Sequence, residues 1–149
     1  MASQVFFVII KSVKNYRKHL DRIDGDILVI PVSPPLMPLG GIASAVDWRL
    51  NSIISHTIAE ERFNGHSGSL LLIPTNNKIN SRFVLLVGFG KNFKNEITKT
   101  LKGLKINDLC IVISKQFKKE IKVSAFDANT VKEHDIGEEK LFIFKGVEI

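Results

Sequence analysis

Gly40 and Gly41 stand where this chain could bind a phosphate. They close a proline-rich stretch and open a helical pattern at Ile42, so unpaired backbone N–H groups would face an anion with no Cβ to keep it away. The same glycines also serve a structural purpose, because they permit a tight passage from loop to helix. Pro31, Pro34, Pro35 and Pro38 make the approach stiff, since each fixes φ near −65° and lacks a donor.

A second chemistry is carried by lysine. The net charge of +6 is uneven: residues 11–22 hold five bases against one acid, residues 91–122 hold nine lysines against three acids, and the tail from Val123 is acidic. Lys11, Lys14, Arg17 and Lys18 with Lys115, Lys118, Lys119 and Lys122 would form one nucleic-acid-binding face, provided the fold brings the two segments together. A solvated lysine-rich surface explains the same pattern, and lysine without interleaved arginine or aromatics supplies charge but little base stacking.

Catalytic chemistry is not legible. His19, His56, His66 and His134 are scattered with no metal-binding spacing, and no serine or cysteine lies in a nucleophile motif. Cys110 sits inside LCIVI and reads as a small buried hydrophobe, so neither an internal disulfide nor a cysteine-based zinc site is available. No catalytic residue, metal or cofactor is expected. The apolar run Val5 to Ile10 is too short to span a bilayer and has no signal-peptide frame, which predicts a cytoplasmic protein without membrane contact.

The elements that must position these residues follow from periodicity. Apolar runs at Val5 to Ile10, Ile27 to Val32, Leu70 to Ile73, Phe83 to Val87 and Leu109 to Ile113 read as strands, with Ile121 to Phe126 and Leu141 to Phe144 as further ones. Helical spacing recurs over Asn15 to Ile23 and Asn95 to Leu104, and Lys115 to Lys119 suggests a short helix. From Gly41 to about Arg62, Ile42, Val46, Leu50, Ile53, Ile54 and Ile58 predict one long helix, with Trp48 packed against the sheet or a partner. Strands without polar alternation, interleaved with amphipathic helices, indicate an α/β class with a mostly parallel or mixed central sheet covered on both faces. The 149 residues suit a single domain, with no repeat or linker.

The blocks DILVIPV, PLGGIASAVDWRLNSIIS, FNGHSGSLLLIPT and SRFVLLVGFGK together resemble the N-terminal domain of the leucyl (cytosol) aminopeptidase family. The similarity covers about Asp26 to Lys91 and rests on Asp47-Trp48-Arg49-Leu50, on Gly65 to Pro74 and on Gly88-Phe89-Gly90-Lys91. It implies a three-layer α/β/α macrodomain-like sandwich. In that family hydrolysis belongs to a separate C-terminal domain, whose run Asn-Thr-Asp-Ala-Glu-Gly-Arg-Leu is absent here; Asp127-Ala128-Asn129-Thr130 is the nearest string. The resemblance therefore implies a stand-alone relative of the non-catalytic half.

Within that fold, Gly40, Gly41, Ile42 and Ala43 are similar to the phosphate loop of ADP-ribose-binding macrodomains, and Asp26 is similar in type to their adenine-contacting aspartate. Ile30 and Ser33 stand in place of two asparagines, and Ser114-Lys115-Gln116 replaces a second glycine-rich loop. The resemblance thus implies a candidate ligand set of Asp26, Ser33, Gly40, Gly41 and Ile42. It leaves three readings: a non-catalytic module that binds a protein partner or itself, a nucleic-acid binder, and a nucleotide or ADP-ribose reader.

Overall fold

The computed structural model describes residues 6–10, 26–106, 108–113, 128, 130–136 and 139–147. Its strands are β1 (Phe6–Ile10), β2 (Ile27–Val32), β3 (Leu70–Pro74), β4 (Phe83–Gly88), β5 (Leu109–Ile113), β6 (Thr130–Ile136) and β7 (Glu139–Lys145). The helices are α1 (Gly41–Arg49), α2 (Ile53–Ala59) and α3 (Phe93–Leu104). The strands form one mixed sheet in the order β1-β6-β7-β5-β2-β4-β3. β2 lies parallel to β4 and to β5, and β1 is parallel to β6; β3 against β4, β5 against β7 and β6 against β7 are antiparallel.

The period of two along β2 makes this a three-layer α/β/α sandwich. Leu28 and Ile30 join Ile42, Val46, Leu50 and Ile54 in the core beneath α1 and α2, whereas Ile27 and Val29 join Phe93, Ile97 and Leu101 beneath α3. On α3 those three residues recur every fourth position and are all buried, each contributing about 1.5–3 kcal/mol of burial free energy. Cys110 is buried and reduced, as its apolar surroundings predict.

The expected long helix is instead two. After α1 the chain turns through Asn51 and Ser52, both at left-handed φ (57° and 64°), before α2 begins at Ile53. Ile42, Val46, Leu50 and Ile54 are all buried despite the break, so a spacing of four concealed it. The residue that distinguishes the two geometries is Ile53, which a continuous helix would bury and which is 42% exposed.

β6 also departs from expectation. Its sequence, TVKEHDI, carries few apolar residues, so hydrophobic runs do not reveal it; pairing on both sides, with β1 and β7, defines it. His134 lies in β6. The helices expected over Asn15 to Ile23 and Lys115 to Lys119, and the strand expected over Ile121 to Phe126, lie outside the described residues.

Candidate functional site

Three loops gather beyond the carboxyl ends of the parallel strands β2 and β4, the place where open α/β sheets bind ligands. They are the proline loop 33–40, the loop 64–69 between α2 and β3, and residues 89–92 ahead of α3. Phe89 N–H donates to the Val32 carbonyl (2.9 Å), Gly88 N–H to that of Ser69 (2.8 Å) and Gly68 N–H to that of Gly88 (3.2 Å). The approach is close enough to require glycine: a Cβ at Gly88 would overlap the His66 carbonyl, one at Gly90 would overlap Ser67, and one at Gly65 would overlap the Leu36 side chain.

Gly40, extended at φ −124° and ψ 168°, caps α1, and Gly41 takes a left-handed φ of 55° that favours glycine. The anion at this helix start is supplied by the chain itself. Ile42 N–H donates to Glu139 Oε1 at 2.8 Å, and a Cβ on Gly41 would overlap the same carboxylate oxygen. Glu139 reaches it because β7 runs antiparallel to β5, so the amino end of β7 lies beside the carboxyl end of β5. Burial pushes the Glu139 carboxyl above its ordinary value of 4.5, against a smaller lowering by the Ile42 hydrogen bond. The space beside Gly41 is thus filled by Glu139.

The candidate ligand residues do not all converge. Ser33 is half-buried just past β2, on the same end of the sheet as Gly40, Gly41 and Ile42, whereas Asp26 precedes β2, roughly 20 Å away at strand rise. There the Asp26 carboxylate pairs with Arg82 Nε at 3.3 Å, and its carbonyl accepts from Arg82 and Phe83 N–H. Asp26 therefore organises the amino end of the sheet.

Asp47 has a role that residue spacing did not reveal. Buried at the end of α1, its Oδ1 accepts from the N–H groups of Ile54 (2.9 Å) and Ser55 (3.1 Å), and its Oδ2 accepts from the Ser55 hydroxyl. Ser52, the formal N-cap of α2, makes no side-chain cap. A carboxylate from the preceding helix does that work instead, satisfying donors that α2 leaves unpaired.

The profile described as the cytosol aminopeptidase family, N-terminal domain, matches residues 35–127. The chain belongs to this family. Two curated relatives are each named "Probable cytosol aminopeptidase": one from Sulfurihydrogenibium sp. is 29% identical over 104 residues, covering 63% of this chain and 21% of its own length. The other, from Alkaliphilus metalliredigens, is 29% identical over 84 residues, covering 52% and 17%. The chain thus spans about a fifth of the length of the curated relatives it matches.

Within this aminopeptidase N-terminal domain, Asp47 builds the α1–α2 corner, and Gly65, Gly88 and Gly90 let the loops beyond β2 and β4 close together. Trp48, next to that buried aspartate, is 69% exposed. His56 on α2 and His66 in the 64–69 loop are exposed. Among the described residues no group of three or more His, Cys, Asp or Glu is placed to hold a metal ion, and no helix is long and apolar enough to cross a membrane. Lys11, Lys14, Arg17, Lys18, Lys115, Lys118, Lys119 and Lys122 lie outside the described residues, as does His19. Glu139 had no sequence signal, being 97 residues from Ile42 in an acidic tail.

Proposed function

We propose that the chain is one macrodomain-like domain acting in the cytoplasm as a non-catalytic interaction module, which engages a protein partner through the outer surface of the α1–α2 corner. The observation that carries this reading is the exposure of Trp48 beside that of Ile53 on a corner whose geometry Asp47 holds fixed. A solvent-facing tryptophan on a fixed backbone offers large contact area with only two side-chain torsions to order, which is why aromatic residues concentrate in interfaces. The Glu139 carboxylate at the start of α1 supports the same reading, since it takes the position that a ligand phosphate would need.

A photocrosslinking residue in place of Trp48 tests the proposal, with the same residue in place of exposed Lys99 on α3 as the comparison. In cells expressing the full chain, position 48 should yield a discrete crosslinked protein species and position 99 should not. Equal products from both positions, or none from position 48, would refute the proposal. Trp48 is the sole tryptophan, so a blue shift of intrinsic emission on mixing with the identified partner reports its burial directly.

A further inference from the structure

The outer face of α3 carries charge of one sign. Lys91, two residues ahead of the helix, and Lys94, Lys99, Lys102 and Lys105 are all exposed. At helical pitch the four from Lys94 onward fall within an arc of about 140°, which holds none of the buried residues Phe93, Ile97 and Leu101. Glu96, the one acid of α3, lies outside that arc, and no ion pair among the described residues involves these lysines. The arrangement opposes the helix's own stability. Lys91 and Lys94 stand at its N-terminal end, where the dipole disfavours positive charge, and Lys99 and Lys102 are like charges three residues apart. A face that served solubility alone would intersperse acids among its lysines, so a one-sign face held against local electrostatics points to a charged partner.

We infer that the outer face of α3 binds the phosphate backbone of a double-stranded nucleic acid without reading its sequence. Charge complementarity selects a polyanion, and the rest of the face selects among polyanions. Besides lysine, the arc carries only Asn95 and Thr98; the apolar residues of α3 point into the core. A membrane surface would require apolar side chains that enter the acyl boundary. A protein partner would require an aromatic or aliphatic anchor, and interface cores are depleted in lysine. A single strand would require aromatic rings on which its bases stack. A duplex backbone requires none of these, because lysines that displace its condensed counterions supply the binding free energy. Residues 91–105 extend about 20 Å along the helix axis, a length over which each strand of a duplex carries about six phosphates. The face lies on the opposite side of the sheet from the α1–α2 corner, so the two surfaces are independent.

Fluorescence anisotropy of labelled duplex DNA and duplex RNA of one arbitrary sequence, titrated with the full chain from about 50 to about 200 mM salt, tests the inference. Binding to both duplexes, or to one of them, bears out the phosphate chemistry and names its source. The logarithm of the association constant should fall with the logarithm of salt at a slope of about −4 to −5 if all five lysines engage. Lys94→Gln/Lys102→Gln should weaken binding at least about tenfold and flatten that slope by about two. Lys78→Gln/Arg62→Gln removes the same charge from exposed positions away from α3 and should leave affinity and slope nearly unchanged. Thermal melting checks that both variants fold. The inference is overturned by no binding to either duplex at about 50 mM salt, by binding that salt does not weaken, or by equal weakening in the two variants. Tighter binding to the single strand, or binding to anionic phospholipid vesicles in place of the duplexes, would overturn it as well.

Discussion

Replacing Glu139 separates its two opposing electrostatic effects. Its carboxylate accepts one hydrogen bond from Ile42 N–H at 2.8 Å, at the start of α1 where the helix favours negative charge. A charge-assisted bond of this kind contributes about 1.5–3 kcal/mol, and a neutral one about 0.5–1.5 kcal/mol. Against it stands desolvation, which outweighs the bond, so the folded carboxyl holds its proton more tightly than the ordinary value of 4.5. A group raised in this way contributes stability that is fully present below its unfolded pKa and is lost as pH rises through its folded pKa. Glu139→Gln keeps an oxygen acceptor and removes the charge; its stability at pH 7 should lie within about 0.5 kcal/mol of the unaltered chain. Glu139→Ala removes the acceptor as well and should cost about 1 kcal/mol, since release of the desolvated charge offsets part of the lost bond. Urea unfolding of both proteins from about pH 4 to about pH 8 reads the difference, because other titrating groups cancel between them. The unaltered chain should lose stability relative to Glu139→Gln as pH increases. A difference that is flat across this range, or that moves the other way, would refute the desolvation account.

Other substitutions probe the neighbouring geometry. Gly41→Ala should destabilise by about 1–2 kcal/mol through its left-handed φ alone. The added Cβ also displaces Glu139, so the penalty should shrink in a Glu139→Ala background; a double-mutant cycle by chemical unfolding measures this coupling. Asp47→Ala leaves the Ile54 and Ser55 donors without their acceptor and should cost about 2–3 kcal/mol, with Asp47→Asn costing roughly half as much, both by urea unfolding. Gly88→Ala forces a methyl into the His66 carbonyl and should cost about 3 kcal/mol in thermal or urea unfolding. Gly40→Ala meets no atom within 4 Å, so its cost should be confined to glycine's advantage over alanine as the N-cap of α1, about 0.5–1 kcal/mol in the same measurement.

Sequence reading succeeded where a local pattern had one structural solution. The apolar runs of β2, β4 and β5 are buried on both faces, so continuous hydrophobicity identified them, and the four-residue recurrence of Phe93, Ile97 and Leu101 suits only a helix. The α1–α2 break is invisible to apolar spacing because Ile42, Val46, Leu50 and Ile54 remain buried across it. What ends α1 is local turn chemistry at Asn51 and Ser52, reinforced by the cap from Asp47. β6 is not legible in the sequence because partners on either side, rather than its own apolar content, make it a strand.

By itself the sequence determined the class of fold and the family, since each depends on residues close together in the chain. Only the tertiary structure decided what stands at the start of α1 and which apolar residues face water. Glu139 meets Ile42 because β7 returns antiparallel to β5, and Leu70 and Leu72 are exposed because β3 closes one edge of the sheet. Neither fact is encoded within any short segment: strand order sets both, and strand order is fixed by contacts between distant parts of the chain.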